Sequence, residues 1–427
     1  MENISTFVFS VGLIIFAAHF FTALFERTRV PDVLPLILIG ILLGPLSKLV
    51  EPEDFGYVGP LLSAVALTLM LFEGGSHLSL ETLRTSLKDS VVLAISTFIM
   101  TVLISTTVSY YLMGNEFIPS LFIGTVLGSI SPAVVVPIVR MLNLSNNTKS
   151  TLVVESAITD VLSIIIALGI LKTFQTEHKS IIEFIGTNLI ATMAMSLFLG
   201  FSGAVVWSTI LEKIRKFPNT IFTSLAFLFL LYGLSEKLGY SGPISVLIFG
   251  IVLANSKNIP VNIIQRFGAD HLIEFTSIEK TLFSEVIFLV KTFFFIFLGM
   301  SIQFGNLKVL LIGFILTVLI YIGRLILCRM IISKETPISE ASMISFIVPK
   351  GLAAAVLAEV PMHMGLSEDV LSTFIDIRAV IYMVILFSIL ITACLIYSQE
   401  TGITRRKYEH FFSKFSNYLI KIKKDGY

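Results

Sequence analysis

Two acidic residues stand inside the apolar stretch from Ser150 to Phe174, in the hexapeptide Glu155-Ser156-Ala157-Ile158-Thr159-Asp160. At roughly 100° per residue, Ser156 and Asp160 share one stripe of a helix, and Glu155 and Thr159 share the next. The two carboxylates therefore point about 140° apart and fit separate roles better than a shared one. Asp160 can face an ion cavity while Glu155 reaches a cation on a neighbouring helix. The best candidate for that cation is Arg324, buried in another apolar run with Gly323 before it. An unpaired arginine there would be costly, and an ion pair neutralises both groups. A buried carboxylate prefers its neutral form, yet it can release the proton if a metal cation takes its place. One group that holds either a proton or a small cation, but not both, is enough to couple two fluxes in opposite directions. Hard cations want oxygen ligands, which Ser156, Thr159, Ser131, Ser129 and backbone carbonyls beside Pro132 can supply. The alternative is an Asp160 that is purely structural, satisfied by its serine and threonine neighbours.

Positioning such residues falls to membrane helices. Of 427 residues, 55% are hydrophobic, 14% are charged and 36 are Phe. The apolar runs reach about 20 residues each, enough to cross a bilayer, so the chain reads as an all-α polytopic membrane protein. About thirteen spans are predicted, near 3–25, 31–49, 58–74, 88–113, 118–143, 148–173, 181–211, 218–238, 241–255, 278–303, 306–333, 338–360 and 370–398. The first is read as a membrane helix and not as a cleaved leader, since no basic region precedes it and no small-residue cleavage site follows. The largest pieces outside the membrane are the loop near Ser256–Thr276 and a short basic tail, 399–427. A net charge of +1 gives no sign of nucleic acid as a partner. The two cysteines, Cys328 and Cys394, lie in apolar runs and support neither a disulfide framework nor a metal cluster. Lysine and arginine crowd one side: Arg27, Arg29, Arg84, Lys88, Arg140, Lys149, Lys213, Arg215, Lys216, Lys257, Arg266, Lys280, Arg329, Lys334 and the tail. The other side has Lys48, Lys172, Lys179, Lys237 and Lys308. This asymmetry predicts an outer N-terminus and a cytoplasmic C-terminus.

The chain also repeats itself. Leu38-Ile39-Gly40-Ile41-Leu42-Leu43-Gly44 resembles Ile248-Phe249-Gly250-Ile251-Val252-Leu253-Ala254, Gly74-Gly75-Ser76 resembles Gly299-Met300-Ser301, and Ser131-Pro132-Ala133 corresponds to Val348-Pro349-Lys350. Each pair lies an odd number of spans apart, so the two halves enter the membrane in opposite senses, as in inverted-repeat secondary transporters. Pro132 and Pro349 both fall about halfway along a span. Proline removes an N–H and clashes with the preceding turn, and freed backbone groups are tolerated in a bilayer only where they line a cavity or meet polar partners. Two discontinuous helices crossing at the midplane are expected, around Ser129, Ser131 and Pro132 in one and Pro349, Lys350 and Gly351 in the other. Half-helix ends with opposed dipoles form an ion site there. Asp160 lies about 18 Å along the span between them, near the bilayer centre.

These residues resemble the monovalent cation/proton antiporter superfamily, specifically its electroneutral Na⁺/H⁺ exchanger branch. The resemblance spans almost the whole chain. It rests on Glu155-Ser156-x-x-Thr159-Asp160, the broken span around Ser131-Pro132, Gly323-Arg324 and Pro349-Lys350-Gly351-Leu352-Ala353-Ala354-Ala355-Val356. It implies that Asp160 carries the cation and the proton and that Glu155 and Arg324 form a stabilising ion pair. It further implies a homodimer in the cell membrane working by elevator-like movement in pH homeostasis. A transmembrane unit of residues 1–398 would divide into a mobile core (58–173 and 278–360) and a dimerisation scaffold (3–49 and 181–255). The cargo would be Na⁺, or Li⁺ or K⁺, against H⁺, with no cofactor. Two positions depart from the branch: Thr159-Asp160 stands where Asn-Asp is usual, and Ile130-Ser131-Pro132 where Thr-Asp-Pro is common. Both leave hydroxyls in place of stronger ligands. The electrogenic branch has a second aspartate at the place of Thr159, so a single titrating aspartate argues for electroneutral 1:1 exchange.

A Na⁺- or H⁺-coupled solute symporter of related architecture is the second reading, and would need a larger substrate cavity. No phosphate-cradling glycine loop, nucleophile–base constellation or metal-ligand cluster points to an enzyme. Lys350 is expected to offset the partial negative end of a half-helix. Lys291 and Glu285 fit a cytoplasmic funnel, subunit contacts or snorkelling equally well. Asp376 and Arg378, near one end of the last span, are expected to face the membrane interface.

Overall fold

In a bilayer every backbone N–H must find its acceptor within the protein, so apolar runs of this length become helices. The computed structural model describes residues 12–20 except 14, 33–48, 58–76, 80–173, 181–217 except 216, 222–256, 275–332 except 303, and 336–400. Among them there is helix and no strand. The predicted span 3–25, the loop near Ser256–Thr276 and the basic tail lie largely outside the described residues.

In chain order, α1 covers Val33–Ile41 and continues as a π-helical turn to Leu46, α2 is Val58–Ser76, and α3 is Leu80–Val108, extended by a π turn to Met113. The first broken helix is α4 (Phe117–Gly128) followed by α5 (Pro132–Met141). The unbroken α6 (Asn146–Thr173) follows, then α7 (Ile181–Ile214), α8 (Thr223–Lys237) and α9 (Gly242–Ala254). Next come α10 (Ser277–Met300) and α11 (Leu307–Ile331). The second broken helix is α12 (Ile338–Phe346) with α13 (Leu352–Glu359), and α14 (Glu368–Glu400) ends the described chain. Among the described residues six helices are long and apolar enough to cross a membrane by themselves, α6, α10, α11 and α14 included. Shorter apolar helices, among them α4, α9 and the segment opening at Leu352, complete a multi-pass membrane protein. The predicted spans match these elements closely, except that α3 begins at Leu80 and not near residue 88.

Some helix starts are capped by side chains. Thr276 and Glu279 form a reciprocal capping box at the start of α10, and Asn306 accepts from Lys308 N and Val309 N at the start of α11. Large apolar side chains such as Leu103, Leu230 and Leu311 face outward. Lipid gives no hydrophobic drive between helices, so packing and interhelical hydrogen bonds hold the bundle together.

The packing is reciprocal in the way an inverted repeat requires. Helix α1 packs on α10 as α9 packs on α2; α3 packs on α6 as α11 packs on α14; and α3 and α11 pack on each other. Glycine contacts set the register between the repeats. A Cβ on Gly40 would lie 2.1 Å from the Ile296 carbonyl oxygen and 2.9 Å from Met300 N. One on Gly250 would lie 2.6 Å from the Phe72 carbonyl oxygen and 3.2 Å from Ser76 N. Conversely, Gly299 meets the carbonyl of Ile37 and Gly75 that of Leu247, each at 2.3 Å. Gly40 is thus equivalent to Gly250, and the partner of Gly299 is Gly75. The expected match of Gly74-Gly75-Ser76 to Gly299-Met300-Ser301 is one residue out of register, because a Gly-Gly pair aligns equally well both ways until backbone contact chooses.

The breaks need a similar correction. Ile130 N donates to Thr159 Oγ1 on α6 at 3.1 Å, and Lys350 N donates to Ser388 Oγ on α14 at 2.9 Å. Each is the N–H two residues before a half-helix begins, given to a hydroxyl on the next unbroken helix. Pro132 is therefore equivalent to Leu352, and the expected pairing of Pro132 with Pro349 is displaced by three residues. Pro349 lies inside the longer gap, residues 347–351, and the first gap is residues 129–131. The two gaps cross in contact: Ser131 N donates to the Pro349 carbonyl at 2.9 Å, and a Cβ on Gly351 would lie 2.3 Å from Ser131 Oγ. Only glycine fits there.

Candidate ion site at the crossing of the broken helices

Helix α6 passes beside this crossing and splits its two carboxylates between two partners. Asp160, buried, accepts from Ser129 Oγ at 2.7 Å across the first break. Glu155 faces the other way and is held by Arg324, with Nη2 to Oε2 at 2.7 Å and Nη1 to Oε1 as the second arm. Both members are 1% exposed or less. Arg324 also donates to Thr97 Oγ1 on α3 and, at 3.1 Å, to the Ile344 carbonyl on α12. One guanidinium thus ties α3, α6, α11 and α12 together, using the planar fork that lysine lacks.

The hydroxyls divide in the same manner. Thr159 Oγ1 accepts from Ile130 N and sits 3.0 Å from the Glu155 carbonyl, and Ser156 Oγ donates to the Val153 carbonyl at 2.9 Å. Ser131 Oγ is buried without a hydrogen-bond partner among the described residues. A small void of about 20 Å³ lies beside Asp160, Ser131 and Pro132, closed by Met70, Leu71 and Gly74 of α2, Leu247 of α9 and Leu352 of α13. That is room for about one water-sized guest. Of the sequence-predicted ligands, Asp160 and Ser131 line the void, Ser129 touches it through Asp160, and Thr159 and Ser156 are turned to backbone partners. Pro132, Pro349, Lys350 and Gly351 all lie at the crossing. A second, larger cavity of about 560 Å³ opens between α2, α9 and α10, lined by Glu73, Lys280, Phe72 and Phe283.

Lys291 is buried, and Glu285 is exposed with His19 Nε2 at 4.0 Å. Neither lines either cavity. Arg378 does not simply face the interface: it pairs with Glu359 at 3.1 Å, and the Tyr382 hydroxyl donates to the same carboxylate. Several contributors escape sequence reading. Ser163 Oγ donates to the Thr125 carbonyl at 2.8 Å, pinning α4 to α6. Glu340 accepts from Ser145 N, Ser145 Oγ and Thr148 Oγ1 at the start of α6. Ser388 had a signal, a lone polar residue in the apolar run Val384–Ile389.

Comparison with known proteins agrees with this architecture. The sequence model described as sodium/hydrogen exchanger, transmembrane, matches residues 14–397. The K(+)/H(+) antiporter NhaP2 of Shewanella sp. (strain ANA-3) is 23% identical over 261 residues, which are 60% of this chain and 45% of that protein. The chain thus spans under half the length of that relative. The Na(+)/H(+)-K(+) antiporter GerN of Bacillus cereus is 24% identical over 397 residues, 90% of this chain and 94% of that one. Among solved structures, the sodium proton antiporter MjNhaP1 from Methanocaldococcus jannaschii at pH 8 shares the fold, with a TM-score of 0.70 at 21% identity over 93% of this chain and 98% of that one. The chain belongs to the sodium/hydrogen exchanger transmembrane family, within the monovalent cation/proton antiporter superfamily.

Proposed function

We propose that this protein exchanges a monovalent cation for protons across the membrane by alternating access, with Asp160 holding the two in turn. The observation that carries the reading is the buried Asp160 carboxylate, held by a neutral hydroxyl and facing a one-guest void at the crossing of two broken helices. Such a carboxylate is stabilised by a proton or by a cation, and the void admits one of them at a time. Ser131, Ser129 and carbonyls of the first break supply further oxygens. Thr159 and Ser156 support them from the α6 side, and Glu155 with Arg324 braces the site. The cargo is Na⁺, Li⁺ or K⁺: the names of NhaP2 and GerN bring K⁺ as well as Na⁺ into range. With one exchanging carboxylate the stoichiometry is one to one and the exchange electroneutral.

The void has walls from α2, α5, α6 and α13 on one side and Leu247 of α9 on the other. That supports a core of residues 58–173 and 278–360 moving against a scaffold of 3–49 and 181–255, with the scaffold forming a homodimer. The cell membrane is the location proposed, with the N-terminus outside and the C-terminus in the cytoplasm, from the lysine and arginine asymmetry. The test is proton movement in inside-out vesicles on adding Na⁺, Li⁺ or K⁺. At least one cation should drive it, and Asp160→Asn should abolish it at unchanged protein level. Cation-driven proton movement that survives in Asp160→Asn sinks the mechanism.

A further inference from the structure

Three hydroxyl side chains of α11 and α14 meet at the second break. Tyr321 of α11 is buried one turn before Arg324, and its hydroxyl donates to the Ser388 carbonyl of α14 at 2.8 Å. Thr392, one turn further along α14, brings Oγ1 to 2.6 Å from the same Tyr321 oxygen and to 3.5 Å from the Phe346 carbonyl that ends α12. Ser388 Oγ donates within its own helix, to the Ile385 carbonyl, so a lone pair is left to accept from Lys350 N. The group thus reaches both Phe346, just before the gap, and Lys350 within it. The residues on either side of Lys350 carry the contact to the first break. The Pro349 carbonyl accepts from Ser131 N at 2.9 Å, and a Cβ on Gly351 would lie 2.3 Å from Ser131 Oγ. Ser131 in turn lines the void beside Asp160. A continuous line of hydrogen bonds and backbone contacts therefore runs from Tyr321, through residues 349–351, to a wall of the void.

We propose that Tyr321 and Ser388 are positioning residues for the cation: they hold the second gap against Ser131, and so set the width of the void and which monovalent cation fits it. The proposal rests on the reading of Asp160 as the exchanging carboxylate. A cation entering a site of this size exchanges its water shell for fixed oxygens, and the placement of those oxygens decides what the exchange is worth. Ser131 Oγ, buried with no hydrogen-bond partner among the described residues, is such an oxygen, and its backbone N–H is tied to Pro349. A gap has no helical ladder of hydrogen bonds to resist displacement, so the side chains that take up its backbone groups fix where it stands. Tyrosine suits this task because its hydroxyl is carried on a stiff ring with few torsions to freeze. A cluster that merely stapled α11 to α14 would lower stability when cut and leave the preference among cations alone.

The full chain, reconstituted in proteoliposomes at fixed pH, tests this with Tyr321→Phe, Ser388→Ala and Ser388→Thr. Half-saturating concentrations of Na⁺, Li⁺ and K⁺ are measured, together with each variant's thermal transition. Losing one hydrogen bond that positions the site should move the ratio between the two most effective cations by about threefold to tenfold, in Tyr321→Phe and in Ser388→Ala alike. Where a single cation drives exchange, the same change should appear in its half-saturating concentration at an unchanged maximal rate. Ser388→Thr keeps the acceptor and should stay within about twofold of the parent. Thr317→Val removes a buried hydroxyl of α11 that bonds within its own turn, and should leave the ratio where it was. An unmoved ratio in either folded variant, an equal move in Thr317→Val, or failure of both variants to fold makes the cluster a staple and overturns the proposal. Asp160→Asn separates the two ideas. Exchange surviving there removes the reading of Asp160, whereas a dead Asp160→Asn with an unmoved ratio in Tyr321→Phe and Ser388→Ala removes only the positioning role.

Discussion

Arg324 shows how one buried side chain divides labour between two acids five residues apart. By occupying Glu155 completely, it leaves Asp160 as the acid on α6 available for the proposed exchange. Truncation should therefore damage the fold before it damages selectivity. Arg324→Ala leaves an uncompensated carboxylate and should cost about 3–5 kcal/mol, seen as a lowered thermal transition of the purified protein. Adding Glu155→Ala to it should recover part of that loss, and a double variant no more stable than Arg324→Ala would contradict the pairing. This contact was legible beforehand because a charge in an apolar run has few affordable partners and helical phase turns Glu155 away from Asp160. Thr97 was not legible, and Ser388 stood out only as a lone polar residue in an apolar run, with nothing to name its partner. Hydroxyls in membrane helices usually bond back to their own turn, as Thr317 does to Gly313 and Ser345 to Ala341. Nothing in residue type marks the few that reach another helix.

The second broken helix is anchored at both ends by acids. Glu340, near the start of α12, caps the first turn of α6, and Glu359, at the end of α13, holds Arg378 and Tyr382 of α14. The Glu340 carboxylate sits at a helix N-terminus, where N–H groups lack intrahelical acceptors and the helix dipole favours negative charge. Glu340→Gln keeps the shape and loses the charge. It should lower stability by about 1 kcal/mol and speed amide hydrogen exchange in the first turn of α6, with any cation-driven proton movement of the parent retained. Unchanged exchange over residues 145–149 would show the cap to be incidental. The proline at residue 132 announced the first break correctly. The second break was located by Pro349, yet α13 begins three residues later, since a proline ends one helix without dictating where the next starts.

Across the whole molecule, the inverted repeat was visible in short sequence matches, and its true register was not. Gly74 has nothing within 4 Å where a Cβ would stand, whereas Gly75 abuts a backbone carbonyl. Gly250→Ala should therefore cost about 1–3 kcal/mol and slow exchange, because the obstructing atom belongs to the Phe72 backbone and cannot rotate aside. Gly74→Ala should leave stability near the parent value, since nothing stands within 4 Å of the added methyl. Equal damage from the two would refute the assigned register.

Those glycine crossings have a mechanical consequence. At each one α1 or α9 rests backbone directly on α10 or α2, with a glycine on either side of the contact. Under the proposed movement of a core against a scaffold, these crossings are two matched tracks, one from each repeat. Displacement along them need not climb over interlocked rotamers at the points where backbone meets backbone.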